Sequence, residues 1–446
     1  MKNKMLSLLL VSAMAIIMLA GCVSTKKAGK PADSTTNQDT ANEEEAFTTN
    51  EYIILEAVSM FGGTDPNASA YEEINEVFQS KYSNVALEDN SQSSDQYWKA
   101  TIAADFAVGN EPDVIQYFTD VTAKTVLTTD KFVSIDEIKA EYPDYAKDTT
   151  EVTLDAVKNP DGVRRAVPTT GYWEGLFCNK DLFESNNVEI PTDWDSLVKA
   201  IETFQANDII PIAVSMNKEP NYWVEYVLLY SAGVESYCSI PETTPAEWVK
   251  GLEVIKTLRD MGAFPVDTDT IDNAFAQKLF HDKKAAMSLD GSWAAGNITD
   301  TDNVVIVGFP GVPAQKAEAN TVVSGLSTGF YITRKAWKDP DKKEAAVNFV
   351  MAHTCKEGVR KYWEATGKIQ VAAVELEVCA DLSPMGRSAM EFIQKAPISV
   401  LPTDARLGAE PYSVIIANMS KISAGSVNAE EVITEALMLY KELNEE

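Results

Sequence analysis

From residue 52 onward, short β-forming runs alternate with amphipathic helical stretches, and this alternation limits the folds open to the chain. Candidate strands lie at residues 52–59, 85–88, 113–118, 209–215, 285–289, 304–307 and 329–333. Helical periodicity is found at residues 68–81, 96–107, 341–354 and 429–442. The pattern predicts an α/β protein, with mostly parallel sheets flanked by helices. A length of 446 residues, at about 150 per domain, predicts two or three domains.

Two further helices are indicated by their start signals. Thr192 is predicted to cap the first, with Asp195 reaching back from the third helical position. Thr244 is predicted to cap the second, with Pro245 at its first position and Gly262 at its end. In open α/β sheets, ligands bind at the carboxyl ends of strands, so the residues that follow each strand are the first candidates for a site.

The charge balance excludes some classes of partner. There are 38 Lys and Arg residues against 67 Asp and Glu, a formal net charge of −29 at pH 7. Nucleic acids are held mainly by basic side chains that neutralise phosphates, and no local basic patch is apparent. Nucleic acid and phosphate-rich ligands are therefore not expected. With two histidines and no CxxC motif, neither a metal site nor a cofactor is predicted.

The first fifty residues carry an export signal. Lys2 and Lys4 precede an apolar run over residues 5–20, which is too short to cross a bilayer comfortably. The run ends in Leu-Ala-Gly-Cys at residues 19–22, which resembles the lipobox of bacterial lipoproteins. The resemblance implies that residues 1–21 are a lipoprotein signal peptide and that Cys22 carries a lipid. Residues 22–50 are polar and predict a flexible linker between the lipid anchor and a globular body.

Three of the eight tryptophans stand beside turn-forming or polar residues instead of in a helical stripe: Trp173, Trp223 and Trp293. A flat indole in a loop can stack on the C–H face of a sugar ring while neighbouring polar groups bind the ring hydroxyls. Packing at a hinge or a domain edge would explain the same pattern.

An ordered set of short motifs resembles the extracellular solute-binding proteins of bacterial ABC sugar transporters, in the maltose-binding-protein-like branch called family 1. The motifs follow the family order across nearly the whole chain: 59–66 (SMFGGTDP), 112–114 (PDV), 175–183 (GLFCNKDLF), 191–194 (PTDW), 284–287 (KAAM), 291–293 (GSW), 308–311 (GFPG) and 324–334.

The resemblance implies a two-lobed, periplasmic-binding-protein-like fold of type II, with the ligand cleft between the lobes. Residues 50–160 plus 302–365 are expected in lobe one, and residues 165–300 plus 370–446 in lobe two. Lobe closure around a solute would be sensed by the transmembrane permease subunits of the transporter. Closure requires a solute that contacts both lobes.

That requirement selects candidate ligand-binding residues on each side. Those in lobe one are Asp65, Gln92, Ser94, Tyr117 and Asp120. Those in lobe two or near the hinge are Tyr172, Trp173, Glu174, Asn221, Trp223, Asp290, Trp293, Arg406, Glu410 and Tyr412. Carboxylates suit this role because charge-assisted hydrogen bonds to sugar hydroxyls are strong. Asp65 and Asp290 are equally explained as turn formers.

Other functions remain open from the sequence. A polyamine, a peptide or another cationic solute would pair with acidic cleft residues under aromatic faces. A secreted carbohydrate-active enzyme needs only two facing carboxylates. Residues 325–329 match GxSxG, but a β-like run follows where a nucleophile elbow needs a helix. Residues 267–272 begin like a calcium loop but lack its glycine and its final glutamate.

Overall fold

The computed structural model describes residues 52–94, 96–120, 123–159, 161–217, 220–326, 328–376 and 381–444. The predicted signal peptide, the linker and Cys22 lie outside these ranges. Among the described residues, no helix combines the length and the apolar character that a membrane span requires.

The described residues form eleven strands. They are β1 (Ile53–Val58), β2 (Val85–Asp89), β3 (Val114–Phe118), β4 (Thr170–Asn179), β5 (Ile210–Ala213), β6 (Ala285–Gly291), β7 (Val304–Val307), β8 (Val322–Gly325), β9 (Thr328–Ile332), β10 (Val371–Ala372) and β11 (Ser399–Val400). All seven predicted strands are present, with ends shifted by a few residues.

Within the described ranges, eighteen α-helices connect and cover the strands. They are α1 (Ala68–Lys81), α2 (Gln96–Val108), α3 (Lys124–Leu127), α4 (Ile135–Glu141), α5 (Glu151–Ala156), α6 (Lys180–Ser185), α7 (Trp194–Ala206), α8 (Asn221–Ala232), α9 (Val234–Tyr237), α10 (Ala246–Asp260), α11 (Asn273–His281), α12 (Arg334–Lys338), α13 (Pro340–Thr354), α14 (Lys356–Ala365), α15 (Pro384–Lys395), α16 (Asp404–Leu407), α17 (Ala409–Ser423) and α18 (Ala429–Asn444). A 3₁₀ helix, Ser292–Asn297, follows β6.

The first lobe is built on a four-stranded sheet in the order β2-β1-β3-β9. Strand β1 pairs in parallel with β2 and β3, and β9 is antiparallel to β3. Helices α1, α13 and α14 pack together beside this sheet. Buried apolar side chains such as Leu55, Ile115 and Phe349 form its core. In this lobe the expected mostly parallel sheet is found.

The second lobe is built on a seven-stranded sheet with the path β11-β8-β4-β6-β5, and β7 and β10 also pair with β4. Strand β4 is antiparallel to all four of its partners, β6, β7, β8 and β10. Only β5 with β6 and β11 with β8 are parallel. The prediction of a mostly parallel sheet is therefore wrong for this lobe. Its central strand, β4, was not predicted, and β4 runs antiparallel to every strand with which it pairs.

The missed strand is β4. Nearly every residue of β4 is buried, so apolar and polar residues do not alternate along it, and Gly171, Glu174 and Gly175 interrupt the β-forming residues. The predicted return to lobe one at residue 302 also needs correction. Strands β7 and β8 still belong to the second sheet, and the chain returns to the first sheet between β8 and β9.

Two helix starts differ slightly from their predictions. Asp193, not Thr192, caps α7, and its partner in the capping box is Ser196. No side chain caps α10, which begins after Pro245. Of the cysteines that the structure describes, Cys178, Cys238 and Cys355 are free thiols.

Candidate functional site

A cavity of about 850 Å³ is lined by residues of both lobes. Its first-lobe wall is formed by the segments that follow β1, β2 and β3, together with the start of β9. Its second-lobe wall is formed by the start of β4 and by the segments that follow β5, β6 and β11. The cavity thus lies at the carboxyl ends of the parallel strands, where open α/β sheets bind ligands.

In the first lobe, two loops pack tightly to shape the wall. A Cβ on Gly62 would lie 2.5 Å from the backbone of Ser91, so only glycine allows the loops after β1 and β2 to approach this closely. The Ser93 hydroxyl donates to the Gly62 carbonyl over 2.8 Å and accepts from the Thr64 amide over 2.9 Å. These bonds fix the loop that carries Asp65.

Asp65 lines the cavity and is only partly exposed. Its Oδ1 accepts from the amide of Asn67 over 2.8 Å. Burial raises the pKa of this carboxyl to about 6, although the bonds from Asn67 oppose the change. Asp65 therefore forms a turn and also presents an acid group to the cavity.

In the second lobe, three aromatic side chains form one continuous surface on the cavity wall. The ring of Trp293 lies 5.6 Å from that of Tyr172 and 6.0 Å from that of Tyr222, with interplanar angles of 59° and 56°. All three residues line the cavity and are partly exposed. Such a surface can accept the apolar face of a ring-shaped ligand.

Beside this aromatic surface lies an acidic corner formed by Glu174, Glu225 and Asp404, which come from β4, α8 and α16. Glu174 is 2% exposed and Glu225 is 3% exposed. Burial raises the pKa of Glu225 to about 8, and the charge of Asp404 adds to the effect. Burial, followed by the charge of Glu225, raises the pKa of Glu174 well above its usual value. Burial likewise raises the pKa of Asp404.

The structure brings several predicted residues together at the cavity. These are Asp65, Ser94, Asp120, Tyr172, Glu174, Asn221 and Trp293. They come from both lobes, as closure around one solute would require.

Two of the three tryptophans are placed differently from their predictions. Trp173 lies in β4, is 1% exposed and donates from Nε1 to the carbonyl of Ile369 over 2.8 Å. Trp223 lies in α8, is 1% exposed and packs against Phe264 and Phe309. Neither lines the cavity. The prediction that these two tryptophans lie in loops was wrong. Their polar neighbours belong to a strand and to a helix, and each tryptophan lies on the buried face of that element.

Three further predicted residues lie one layer behind the wall. Asp290 accepts from the lining residue Gln277 over 3.0 Å. The hydroxyl of Tyr412 lies 3.3 Å from Oε1 of Glu225 and 3.3 Å from the carbonyl of Asn221. Tyr117 is buried against Trp98, with ring centroids 5.4 Å apart. These residues support the wall and do not line it.

The remaining predicted residues lie outside the lining of this cavity, and their part in ligand binding stays a prediction. Gln92 and Glu410 are exposed and are not among the lining residues. Arg406 donates from Nη1 to the carbonyl of Leu401 over 2.8 Å, and its guanidinium lies 4.1 Å from the ring centre of Tyr237. It too is absent from the lining.

Most of the other lining residues escaped prediction, among them Tyr97, Tyr222, Glu225 and Asp404. Glu225 had a readable signal, because it is the one charged residue in the otherwise apolar α8. A buried, unpaired acid in such a run points to a special role. Tyr97 and Tyr222 each directly precede a tryptophan, and at the second position Trp223 was predicted instead of Tyr222. Asp404 had no local signal.

A model of the family described as bacterial extracellular solute-binding protein matches residues 73–375. A curated protein of Streptococcus mutans, the multiple sugar-binding protein, is 23% identical over 236 residues, which are 50% of this chain and 55% of that protein. The chain thus spans about half the length of this curated relative.

Solved structures share the fold. A chitin oligosaccharide binding protein has a TM-score of 0.75 and 20% identity, and the match covers 85% of this chain and 95% of that chain. A structure from work on xylan utilization by the thermophilic bacterium Caldanaerobius polysaccharolyticus has a TM-score of 0.75 and 19% identity, and covers 86% of this chain and 99% of that chain. A maltose-bound MalE3 of T. maritima has a TM-score of 0.70 and 17% identity, and covers 88% of this chain and 100% of that chain.

These matches have the two-lobed fold expected from the sequence motifs. Because the family model spans more than half of the sequence, the chain belongs to the bacterial extracellular solute-binding proteins.

Proposed function

We propose that this protein captures a sugar or oligosaccharide in the cavity and delivers it to the permease of an ABC transporter. The two lobes close on the sugar, and the permease senses the closed state. The protein acts as a receptor and catalyses no reaction. The family match, and the curated relative whose name describes a binder of multiple sugars, support this proposal.

The observation that carries the proposal is the aromatic surface of Tyr172, Tyr222 and Trp293 inside a polar cavity. Tilted rings 5.6 and 6.0 Å apart offer a broad apolar face to a pyranose. Amide and carboxyl groups around them, such as Asn221 and Asp65, can bind the hydroxyls. A volume of about 850 Å³ accommodates more than one sugar ring.

The first test is a ligand panel. Thermal unfolding of the purified protein is measured with mono- and oligosaccharides, polyamines and peptides. A ligand that binds the folded state raises the unfolding temperature by mass action. Stabilisation by at least one carbohydrate supports the proposal. Stabilisation by polyamines or peptides alone, abolished by high salt, would contradict it.

The second test removes the centre of the aromatic surface. Trp293→Ala is expected to weaken binding of the stabilising sugar by roughly 30-fold, because central aromatic contacts dominate such interfaces. The unliganded protein should unfold almost as before, since Trp293 is only partly buried. Trp363→Ala is the matched control, because that residue is also partly exposed and lies outside the cavity. Equal affinities of the two variants would remove Trp293 from the site.

The proposal includes attachment to the outer face of the cytoplasmic membrane through a lipid on Cys22. The Leu-Ala-Gly-Cys sequence at residues 19–22 supports it. Cells that express the wild type should hold the protein in the membrane fraction, and Cys22→Ala should release it. An unchanged distribution would rule out the anchor.

An enzymatic role is tested directly by incubating the purified protein with the oligosaccharide that stabilises it. We expect no new reducing ends, because the family that the chain matches consists of solute-binding proteins. The assay addresses the alternative directly, since a glycosidase places two carboxyls on opposite sides of the bond that it cleaves. Hydrolysis that is lost in Glu225→Gln would overturn the receptor assignment.

A further inference from the structure

The described lining of the cavity carries acid groups and no basic group, since none of its residues is Lys, Arg or His. The lining acids come from both lobes: Asp65, Asp120, Glu174, Glu225, Asp272 and Asp404. A cleft with low-dielectric walls focuses the field of its ionised acids, and the acids with a raised pKa can give their protons to an amine that binds beside them. The cavity therefore favours cations over anions.

The acidic corner also contains acceptors that lack a donor from the rest of the protein. Oε2 of Glu174, Oε2 of Glu225 and Oδ1 of Asn221 are buried and accept no hydrogen bond from the backbone or from another kind of side chain. The Glu174 and Glu225 carboxyls hydrogen-bond each other, which requires one of the two to be protonated. Both glutamates are more than nine-tenths buried, and all three residues line the cavity. Burying an acceptor without a donor is unfavourable, so these oxygens are positioned for donors that a ligand brings.

The protein's own cations do not fill this role. None of the ion pairs of the described residues involves Glu174, Glu225 or Asp404. Arg406 acts on the corner only from a distance, and its guanidinium lies against Tyr237. The ammonium of Lys99 lies 4.6 Å from the ring centre of Phe118, and its charge lowers the pKa of Asp404 against the effect of burial. Among the residues that the structure describes, no cation forms an ion pair with the three acids of the corner.

We propose that Glu174, Glu225 and Asp404 form a subsite for a protonated amino group, so that the captured carbohydrate is an amino sugar with a free amine. This inference rests on the proposed function and narrows its ligand class. The ammonium group donates three hydrogen bonds and accepts none, which matches a corner made of acceptors. The sugar ring that carries it stacks on the adjacent surface of Tyr172, Tyr222 and Trp293.

A neutral sugar fits the corner less well. A hydroxyl group donates one hydrogen bond and brings no positive charge, so it leaves the acids either ionised and uncompensated or protonated. Burial already raises the pKa of Glu225 to about 8, as expected for a buried acid that has no cation beside it. An ammonium replaces the protons and forms charge-assisted hydrogen bonds, which are about twice as strong as neutral ones.

The test compares matched ligands that differ at one substituent. Binding of the full chain is measured by calorimetry with glucosamine and glucose, galactosamine and galactose, and β-1,4-linked glucosamine oligosaccharides with the glucose oligosaccharides of equal length. The N-acetylated counterparts keep the nitrogen and remove its charge. In at least one of these sets, we expect the amino sugar to bind at least about tenfold more tightly than both the neutral sugar and the N-acetylated sugar.

The same pair is then measured with two variants that keep the shape of the corner. Glu225→Gln and Asp404→Asn should each reduce the preference for the amine over its neutral parent by about tenfold. Glu235→Gln is the matched control, because it removes an exposed acid of the same kind ten residues along the chain. It should leave the preference unchanged.

The outcomes separate this inference from the proposed function. A neutral parent that binds as tightly as its amine overturns the amino-group subsite and leaves the sugar receptor standing. Binding of spermidine with no response to any sugar overturns the sugar receptor. If an amino sugar is preferred but neither variant reduces the preference, the subsite lies elsewhere and the assignment to these three residues is wrong.

Discussion

Two buried sites, one in each lobe, differ in where their polar groups find partners. In the first lobe, His353 is fully buried, and both ring nitrogens have partners: Nδ1 lies 2.6 Å from the Tyr362 hydroxyl and Nε2 lies 3.0 Å from Oδ1 of Asn75. In the second lobe, Glu174 and Glu225 each keep one buried oxygen that accepts no hydrogen bond from the rest of the protein. A satisfied buried group stabilises a fold, whereas an unsatisfied one beside a cavity marks a place for a ligand.

Asp113, also in the first lobe, is a buried acid that is paired by the protein itself. It is 0% exposed, and its Oδ2 accepts from the amide of Glu56 over 2.9 Å and from the ammonium of Lys342 over 2.7 Å. Its Oδ1 accepts no hydrogen bond but lies 3.9 Å from the ammonium of Lys335. This acid links the start of β3 to β1 and to α13. Because the protein itself supplies the partners of this acid, its burial does not indicate a functional site.

The largest expected effect comes from breaking that arrangement. Asp113→Ala should lower the free energy of unfolding by roughly 3 kcal/mol, because it leaves Lys342 and the Glu56 amide without their shared acceptor. Urea unfolding followed by circular dichroism measures the change. Asp144→Ala, at a side chain that is 76% exposed, is the control and should stay within about 0.5 kcal/mol of the wild type. Equal stabilities of the two variants would refute the contrast between the lobes.

A smaller effect is expected from the acidic corner, and its sign depends on pH. The pKa of Glu225 is about 8 in the folded protein, against 4.5 as its ordinary value. Because the folded state binds this proton more tightly, the stabilising contribution is complete below pH 4.5 and is lost as the pH rises through 8. Glutamine at this position cannot ionise and avoids that loss.

Relative to the wild type, Glu225→Gln should therefore gain unfolding temperature between pH 5 and pH 9, by roughly 3 °C. Thermal unfolding across that range measures the gain, and Glu235→Gln supplies the baseline. A difference from the wild type that stays constant with pH would mean that Glu225 is ionised throughout.

The smallest effect is expected at the first-lobe side of the cavity. Tyr97 lines the cavity but is 78% exposed, so it contributes little to the fold. Tyr97→Ala should weaken sugar binding by roughly threefold and leave unliganded stability unchanged, because the ring reaches the ligand only when the lobes close. Tyr52→Ala is matched to it, since Tyr52 is 72% exposed and lies outside the cavity. If both variants bind equally well, Tyr97 takes no part in closure.

Much of the cavity could be predicted from the sequence, since Asp65, Asp120 and Asn221 stand directly after strands or in the polar stretch before a helix. The two errors at the tryptophans have one physical origin. Trp173 and Trp223 stand beside Tyr172 and Tyr222, and adjacent residues of a strand or helix point to different faces. The sequence places each pair at the cavity wall, and only packing decides which aromatic faces the ligand and which enters the core.

The sequence by itself determined the α/β class, the family and most of the strands and helices, because these depend on local periodicity, capping and ordered motifs. The tertiary structure decided the path through β4, the point of return to the first lobe and the acidic corner. Those features depend on contacts between residues far apart in the chain, such as Glu174, Glu225 and Asp404. Whether a buried acid has a partner is a property of its surroundings in space, which no local pattern records.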